Sequence, residues 1–561
     1  MFLRGLRIEN FRAIRKSFIN FDDGTALIGE NDCGITSVLD ALELALGHED
    51  DVRAPHQYQF HHVPGSDHPN GPISLQLRFR ETDVGEWDTE IYSPFAPILA
   101  ERKDRIRELW YEIRIHPEQA GSVSTQFRLR SPGNKGKSSD PGLIGLIRQL
   151  NPVVRVSAGM LTGHGQTVPE KGLQKAKAAS FSAEISTLVE RINRAVESRL
   201  SGISLDLKAD LEDGLSAASA LIEMDTFNLG SRESGLSRTV GEIIGWSPSG
   251  SRQMSSTRLQ APNSAPEKLG ILLLIGALLR ARPAGIIPGA DPLWIIEEPE
   301  AHLHPITLTS VAMFVSLIQR QKIVTTYSAD LLSVIPLSQV RRLVRFDGVL
   351  HERRVQPHTL SRSELRRFHY HLRSRFGVSS FARLWLLVEG ESEYWLIPQI
   401  ARLMGYEFAL EGIACVEFAQ CGLDPPIKVA QELGIEWHVL ADGDTAGKNY
   451  ASTVRSYLGD ADESEYLTVF KEQDIERCFW QHGYDDVYKK HSRLKGRPLE
   501  EASPAKVIQM AVRKQSKPFL ALSVVEAVAA EESPGIPGIL REMIHACVDL
   551  ARNSPARLAD D

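Results

Sequence analysis

The sequence predicts an α/β protein built on parallel sheets, and three observations carry that reading. Phe21 to Ile28 is an apolar run that leads into a glycine loop, Gly29 to Ser37, and then into an apolar helix through Leu46. Trp385 to Val388 is an unbroken apolar run that stops at Glu389-Gly390, ahead of helical spacing from near Ser392. Val439-Leu440-Ala441 likewise stops at Asp442-Gly443-Asp444. Continuous apolar runs of this length fit strands covered on both faces. In open α/β sheets, sites form at the carboxyl ends of such strands.

Bulk properties set the frame. A chain of 561 residues predicts roughly two to four domains. Apolar residues make up 42% and charged residues 24%, the ordinary balance of a globular protein. No apolar run reaches the ~18 residues of a membrane span, and MFLRGLRIENF is an alternating strand, not a signal peptide. Cys33, Cys415, Cys421, Cys478 and Cys547 lack CxxC spacing, which argues against a zinc site or a disulfide framework and for a reduced, cytoplasmic setting. With a net charge of −8, a nucleic-acid partner needs a local basic patch or a metal.

Taken in order, Leu3 to Phe11 alternates as a strand. The loop after Ile28 keeps G-x-x-x-x-G at Gly29 and Gly34 and keeps Thr36, but Ile35 stands where a phosphate-binding lysine belongs. Arg130 to Gly142 and Ser247 to Pro266 read as exposed Gly/Pro/Ser-rich loops. Leu173 to Ser201 places Ile185, Leu188, Ile192, Val196 and Leu200 at helical spacing, and Ala209 to Leu221 reads as a second helix. These helices form either an arm or dimer surface, or pack on their own domain. Leu293 to Ile296 is a buried strand ending in Glu297 and Glu298, and Ile323 to Ser328 is a further strand. From His358 to Phe381 the chain is dense in Arg and His, either a basic ridge for phosphates or a solvated linker helix.

The acids converge. Glu393 follows Glu389 by four positions, so a strand-to-helix turn aims both carboxylates at one spot. Asp442 and Asp444, two apart, share a face of an extended segment. Four carboxylates at two strand ends repel one another unless a cation neutralises them, and oxygen ligands suit Mg²⁺ or Mn²⁺.

VEGESE followed by ADGDTAGK resembles the Toprim domain of topoisomerases, primases and, most closely, OLD-family nucleases, with Asp474-Ile475-Glu476 as the third acidic element. The first 350 or so residues resemble an ABC-type head of the OLD and SMC-like group. The resemblance implies an ABC-ATPase-like head with a helical dimerisation insertion, followed by a Toprim (Rossmann-like) parallel-sheet domain. The expected boundaries are 1–165 and 251–355 for the head, 166–250 for the insertion, 356–382 for a linker and 383–561 for Toprim. It further implies a metal-dependent DNA endonuclease or nickase, a homodimer, and a role in bacterial defence against phage, beside a partner protein or retron.

Two Mg²⁺ or Mn²⁺ ions are expected, with Asp442, Asp444 and Glu389 at one and Glu393, Glu476 and Asp474 at the other. Glu389 is also the candidate base, and Lys517, with Lys514 behind it, is the lysine for the scissile phosphate. The degenerate nucleotide site comprises Gly29, Asn31, Gly34, Thr36, Glu297 and Glu298. Four departures there (Ile35, Pro266, Glu297 for aspartate and Tyr327 for histidine) predict that ATP hydrolysis, and nucleotide binding with it, is lost. The alternative is a non-catalytic SMC-like scaffold or sensor that binds DNA or a partner. A topoisomerase or primase ranks last, lacking an evident strand-passing tyrosine domain or zinc ribbon, and Ile35 and Tyr327 disfavour an ATP-driven nuclease.

Overall fold

The computed structural model describes residues 1–47, 59–62, 69–101, 105–118, 122–132, 136–157, 291, 293–300 and 321–554. Its strands, in chain order, begin with β1 (Phe2–Phe11), β2 (Ile14–Asn20), β3 (Gly24–Gly29), β4 (Ile73–Arg80), β5 (Ala100–Glu101) and β6 (Arg107–Pro117). Then come β7 (Val123–Arg130), β8 (Lys137–Ser138), β9 (Val153–Ser157), β10 (Leu293–Glu297), β11 (Lys322–Thr325) and β12 (Val340–Phe346). The last are β13 (Val349–Arg353), β14 (Leu384–Val388), β15 (Ile413–Glu417), β16 (Glu436–Ala441) and β17 (Leu467–Val469). The chain divides into two compact units, Met1–Ile335 with Asp347–Glu352, and Pro336–Phe346 with Arg353–Asp561.

In the first unit, β7, β6, β4, β1 and β2 form an antiparallel succession, while β3, β11, β10 and β9 run parallel. The antiparallel strands alternate. Leu75, Leu77, Phe79, Leu109, Tyr111, Ile113 and Ile115 are fully buried, and the residues between them, polar except for Trp110, face outward. The parallel strands do not alternate; all six residues of β3 are buried. β3 delivers the glycine loop to α1 (Ile35–Leu46), as expected. Arg130 to Gly142 departs from the expected loop. β8 pairs with β7 at its edge, and α2 (Pro141–Leu150) already starts at Pro141, where the Asp140 side chain accepts from the Gly142 N–H at 3.0 Å. The expected insertion helices, the Ser247 to Pro266 loop and Pro266 itself lie outside the described residues.

In the second unit, four parallel strands run in the order β15, β14, β16, β17. Both faces are covered. Leu384, Leu386 and Val388 of β14 enter one core, and Trp385 and Leu387 enter the other. Double coverage explains why this strand reads as an unbroken apolar run. The longer helices here are α3 (Arg362–Ser379), α4 (Glu391–Leu403), α5 (Asp424–Leu433), α6 (Thr445–Leu458), α7 (Ile475–Phe479), α8 (Asp485–Ser492), α9 (Pro504–Lys514), α10 (Lys517–Val528) and α11 (Gly538–Asn553). The segment expected as a linker carries α3, whose Phe368 is buried in the second core. Among the described residues, no helix is long and apolar enough to cross a membrane.

Candidate active site

Strand order decides which acids meet. Val388 pairs with Leu440, and Ala441 pairs with Val469, so β14, β16 and β17 end side by side. Glu389 leaves the tip of β14, and Asp442 leaves the tip of β16. Glu393 lies in the first turn of α4 and is 6% exposed. Glu476 lies in the first turn of α7 and accepts from the Ser392 hydroxyl at 2.7 Å, tying α4 to α7.

Two glycines permit this crowding. A Cβ on Gly443 would lie 2.1 Å from the Glu472 carbonyl oxygen. One on Gly447 would lie 1.8 Å from the Asp442 carbonyl oxygen. The acid-bearing turn is therefore clamped between the end of β17 and the first turn of α6. Asp444 starts α6 by accepting from the Gly447 N–H at 2.8 Å.

The acids differ in their partners. Asp444 and Asp474 both cap helices, and Asp474 is also ion-paired with Arg477. Asp442 accepts no hydrogen bond from the described residues, and the buried Oε2 of Glu389 has no partner. Burial, then Glu393, Glu389, Asp474 and Glu476, pushes Asp442 up to about 8. Burial, then Glu476, pushes Glu393 up to about 7. Burial and then Asp444 raise Glu389, against the Lys517 ammonium. Glu389 is thus coupled electrostatically to Asp444, Asp442 and Glu393.

Lys517 opens α10, and its Nζ lies 3.9 Å from where a Cβ on Gly390 would sit. It lowers the pKa of both Glu389 and Glu393. Lys514 lies at the end of α9. Sequence reasoning passed over Tyr450 on α6, which stands edge-on to Phe418 with ring centroids 5.0 Å apart. Burial, then Glu389 and Asp444, raises its phenol.

The donor set suits a hard divalent cation in charge: it is all carboxylate, with one buried oxygen lacking a donor. Among the described residues, however, no three ligand-type side chains already converge into a cage. Mg²⁺ keeps several waters and takes one or two carboxylates, so a closed cage is not required.

The glycine loop of the first unit is differently built. Ile35 is 7% exposed, folded inward at the position a lysine would hold. Arg155, inside β9, takes the acid at the tip of β10. Its Nε and Nη2 donate to the two Glu297 carboxylate oxygens at 3.1 and 3.0 Å, and its Nη1 donates to Asp40 at 2.6 Å and Glu43 at 2.9 Å. Burial alone would lower the Arg155 pKa, but Glu297 and Asp40 raise it. Burial, then Glu297 and Glu300, raises Glu298. Tyr327 is 44% exposed and lies in the field of Cys33, Glu298, Asp32 and Glu297. Arg155 was signalled by a lone charge in V-V-R-V-S, an otherwise apolar strand.

Residues 1–379 match the family described as "Protein of unknown function (DUF2813)". The chain belongs to that family. Residues 381–444 match the "Overcoming lysogenization defect protein-like, TOPRIM domain" and hold Glu389, Glu393, Asp442 and Asp444. The OLD resemblance is borne out there, and this DUF2813 member carries an OLD-like Toprim domain, of a nuclease-type family, after the DUF2813 region. A relative in Escherichia coli strain K12, "Uncharacterized protein YbjD", is 32% identical over 574 residues, spanning 98% of this chain and 99% of its own. Among solved structures, the C-terminal region of the Burkholderia pseudomallei OLD protein is 19% identical, covering 30% of this chain and 99% of its own, with a TM-score of 0.26. The SMC head domain from Thermotoga maritima is 16% identical, covering 64% of this chain and 100% of its own, with a TM-score of 0.29.

Proposed function

We propose that this protein is a Mg²⁺- or Mn²⁺-dependent DNA endonuclease or nickase whose head does not hydrolyse ATP. One observation carries the reading. Glu389 presents a buried, donor-free carboxylate oxygen and feels the charges of Asp444, Asp442 and Glu393. So much unpaired negative charge at adjacent strand tips is stabilised by a cation.

Glu389, Asp442, Asp444, Glu393 and Glu476 would hold the cations. Asp474 stays outside, held by Arg477. Divalent cations bound here would neutralise the phosphoryl and leaving oxygens and ease ionisation of a water. Glu389, raised by burial and Asp444, is the group to accept that water's proton. Lys517 would hold a non-bridging oxygen of the scissile phosphate, and the Tyr450 phenol would orient the strand. Homodimerisation and a defence role beside a partner protein or retron extend the proposal on family resemblance.

The inactive head rests on two local facts. Ile35 offers no charge to phosphate, and Glu297 is held by a bidentate guanidinium. A second reading, a non-catalytic scaffold that clamps DNA or a partner, is favoured by one observation: among the described residues the acids form no ready cage. Incubating the purified chain with supercoiled plasmid and Mg²⁺ or Mn²⁺, with and without ATP, separates the two. Metal-dependent, ATP-independent nicking that disappears in Asp442→Ala supports the nuclease. No nicking with either metal, or nicking retained in Asp442→Ala, overturns it.

A further inference from the structure

Three adjacent cross-strand rows on the outward face of the antiparallel strands carry six cations, Arg7, Lys16, Arg78, Arg114, Arg128 and Arg130, and the next row sets Arg80 opposite Glu108. In the same rows stand two carboxylates, Glu9 and Glu112. The chain as a whole is −8, so this face runs against the global charge. Two of the cations are engaged. Arg130 pairs with Glu112 and lies 4.1 Å over the Trp110 ring, and Arg78 reaches Glu108 at 2.9 Å. Arg7, Lys16, Arg114 and Arg128 are exposed, and none of their side chains has a hydrogen-bond or ion-pair partner among the described residues.

These four form two pairs. Arg128 sits opposite Glu112 and Arg114 opposite Gln126, so the two arginines are diagonal neighbours ~7–8 Å apart. Arg7 sits opposite Phe18 and Lys16 opposite Glu9, a second diagonal pair. Between the pairs runs β4, which offers Ser74 and Gln76, neutral hydrogen-bonding groups. The cationic track from β7 to β2 crosses four strand spacings, ~19 Å. Phe18, 38% exposed, lies beside Arg7.

We propose that this face binds the sugar–phosphate backbone of a nucleic acid, without reading base sequence. Arginine forks match phosphate oxygens, repeated cations suit a repeating polyanion, and an exposed ring beside them offers a stacking surface for a base. The surface lies wholly within the first unit and does not depend on the nuclease reading, because binding is read without cleavage.

The test uses the full chain in EDTA, with fluorescence anisotropy of labelled 30-nucleotide single-stranded and 30-base-pair duplex DNA. Replacing Arg7, Lys16, Arg114 and Arg128 together by Gln should weaken binding at least ~100-fold and flatten the log K against log salt slope by ~0.9 per lost duplex contact. Single Arg→Gln variants should each show part of the loss, which guards against misfolding of the quadruple variant. Lys506→Gln, an exposed lysine on α9, should bind as the parent does. Comparing the two DNA forms shows whether single or double strands are held more tightly, and tighter binding of either supports the proposal. Unchanged affinity and salt slope in the quadruple variant overturn it. So does a wild-type chain that binds polyglutamate as tightly as DNA. A chain that binds in this way yet never cleaves sinks the nuclease reading alone.

Discussion

Arg155 grips Glu297 through two parallel N–H donations, at 3.1 and 3.0 Å, from the strand next to it. The acid that ends β10 is thus satisfied from within the protein. Replacing Arg155 by leucine would strip the guanidinium from Glu297, Asp40 and Glu43 at once. Breaking such a partly buried network is expected to cost ~3 kcal/mol. Differential scanning calorimetry should show the loss in the transition of the first unit.

An idle head has a kinetic signature. Glu298→Gln should leave plasmid cleavage within about twofold of the parent. Added ATP should change neither the rate nor the sedimentation behaviour. A strong ATP effect on either would reject the idea of an inert head.

Lys517 should matter to rate more than to fold, since it is exposed at the start of α10. Lys517→Ala is expected to lower kcat by ~100-fold or more while leaving the circular dichroism spectrum unchanged. Lys514→Ala should behave as the parent does. Equal effects of the two would remove the special role of Lys517.

Steric limits set another outcome. Gly443→Ala and Gly447→Ala would each push a methyl group into a backbone carbonyl, at 2.1 and 1.8 Å. Each should destabilise the second unit by more than ~2 kcal/mol, measured by urea titration. Gly405→Ala, with no atom within 4 Å, meets no such contact, though its φ of 88° still strains the backbone.

His438 lies fully buried within β16, its ring nitrogens at 2.7 Å from the Glu465 carbonyl and 2.9 Å from the Thr468 hydroxyl. Burial, against the Glu465 contact, lowers its pKa from the ordinary 6.5 to about 4. Between these values the unfolded chain binds a proton and the folded one does not. Its contribution is therefore complete above about pH 6.5 and is lost as pH falls toward about 4, amounting to ~3 kcal/mol. Stability curves of the parent and His438→Gln should converge across that window; parallel curves would contradict the assignment.

Much of this was legible in the residues. The apolar runs at Leu384–Val388 and Val439–Ala441 announced strands covered on both sides, and parallel neighbours were found. Which strands adjoin was not legible, because register depends on contacts far apart in sequence. For that reason spacing did not show that Asp444 would cap α6 while Asp442 accepts no hydrogen bond from the described residues. Spacing also could not show that Arg155 would reach Glu297 from 142 positions away. The cationic sheet face escaped notice because its charges lie on β1, β2, β4, β6 and β7, far apart in sequence, and only strand pairing brings them onto one face.

Ile35 shows why the missing lysine is not one substitution away from return. Its side chain is enclosed, so a lysine placed there would strand an ammonium in an apolar interior. A lysine there would first need room opened around its ammonium, so restoring a charge to this loop calls for more than a single exchange.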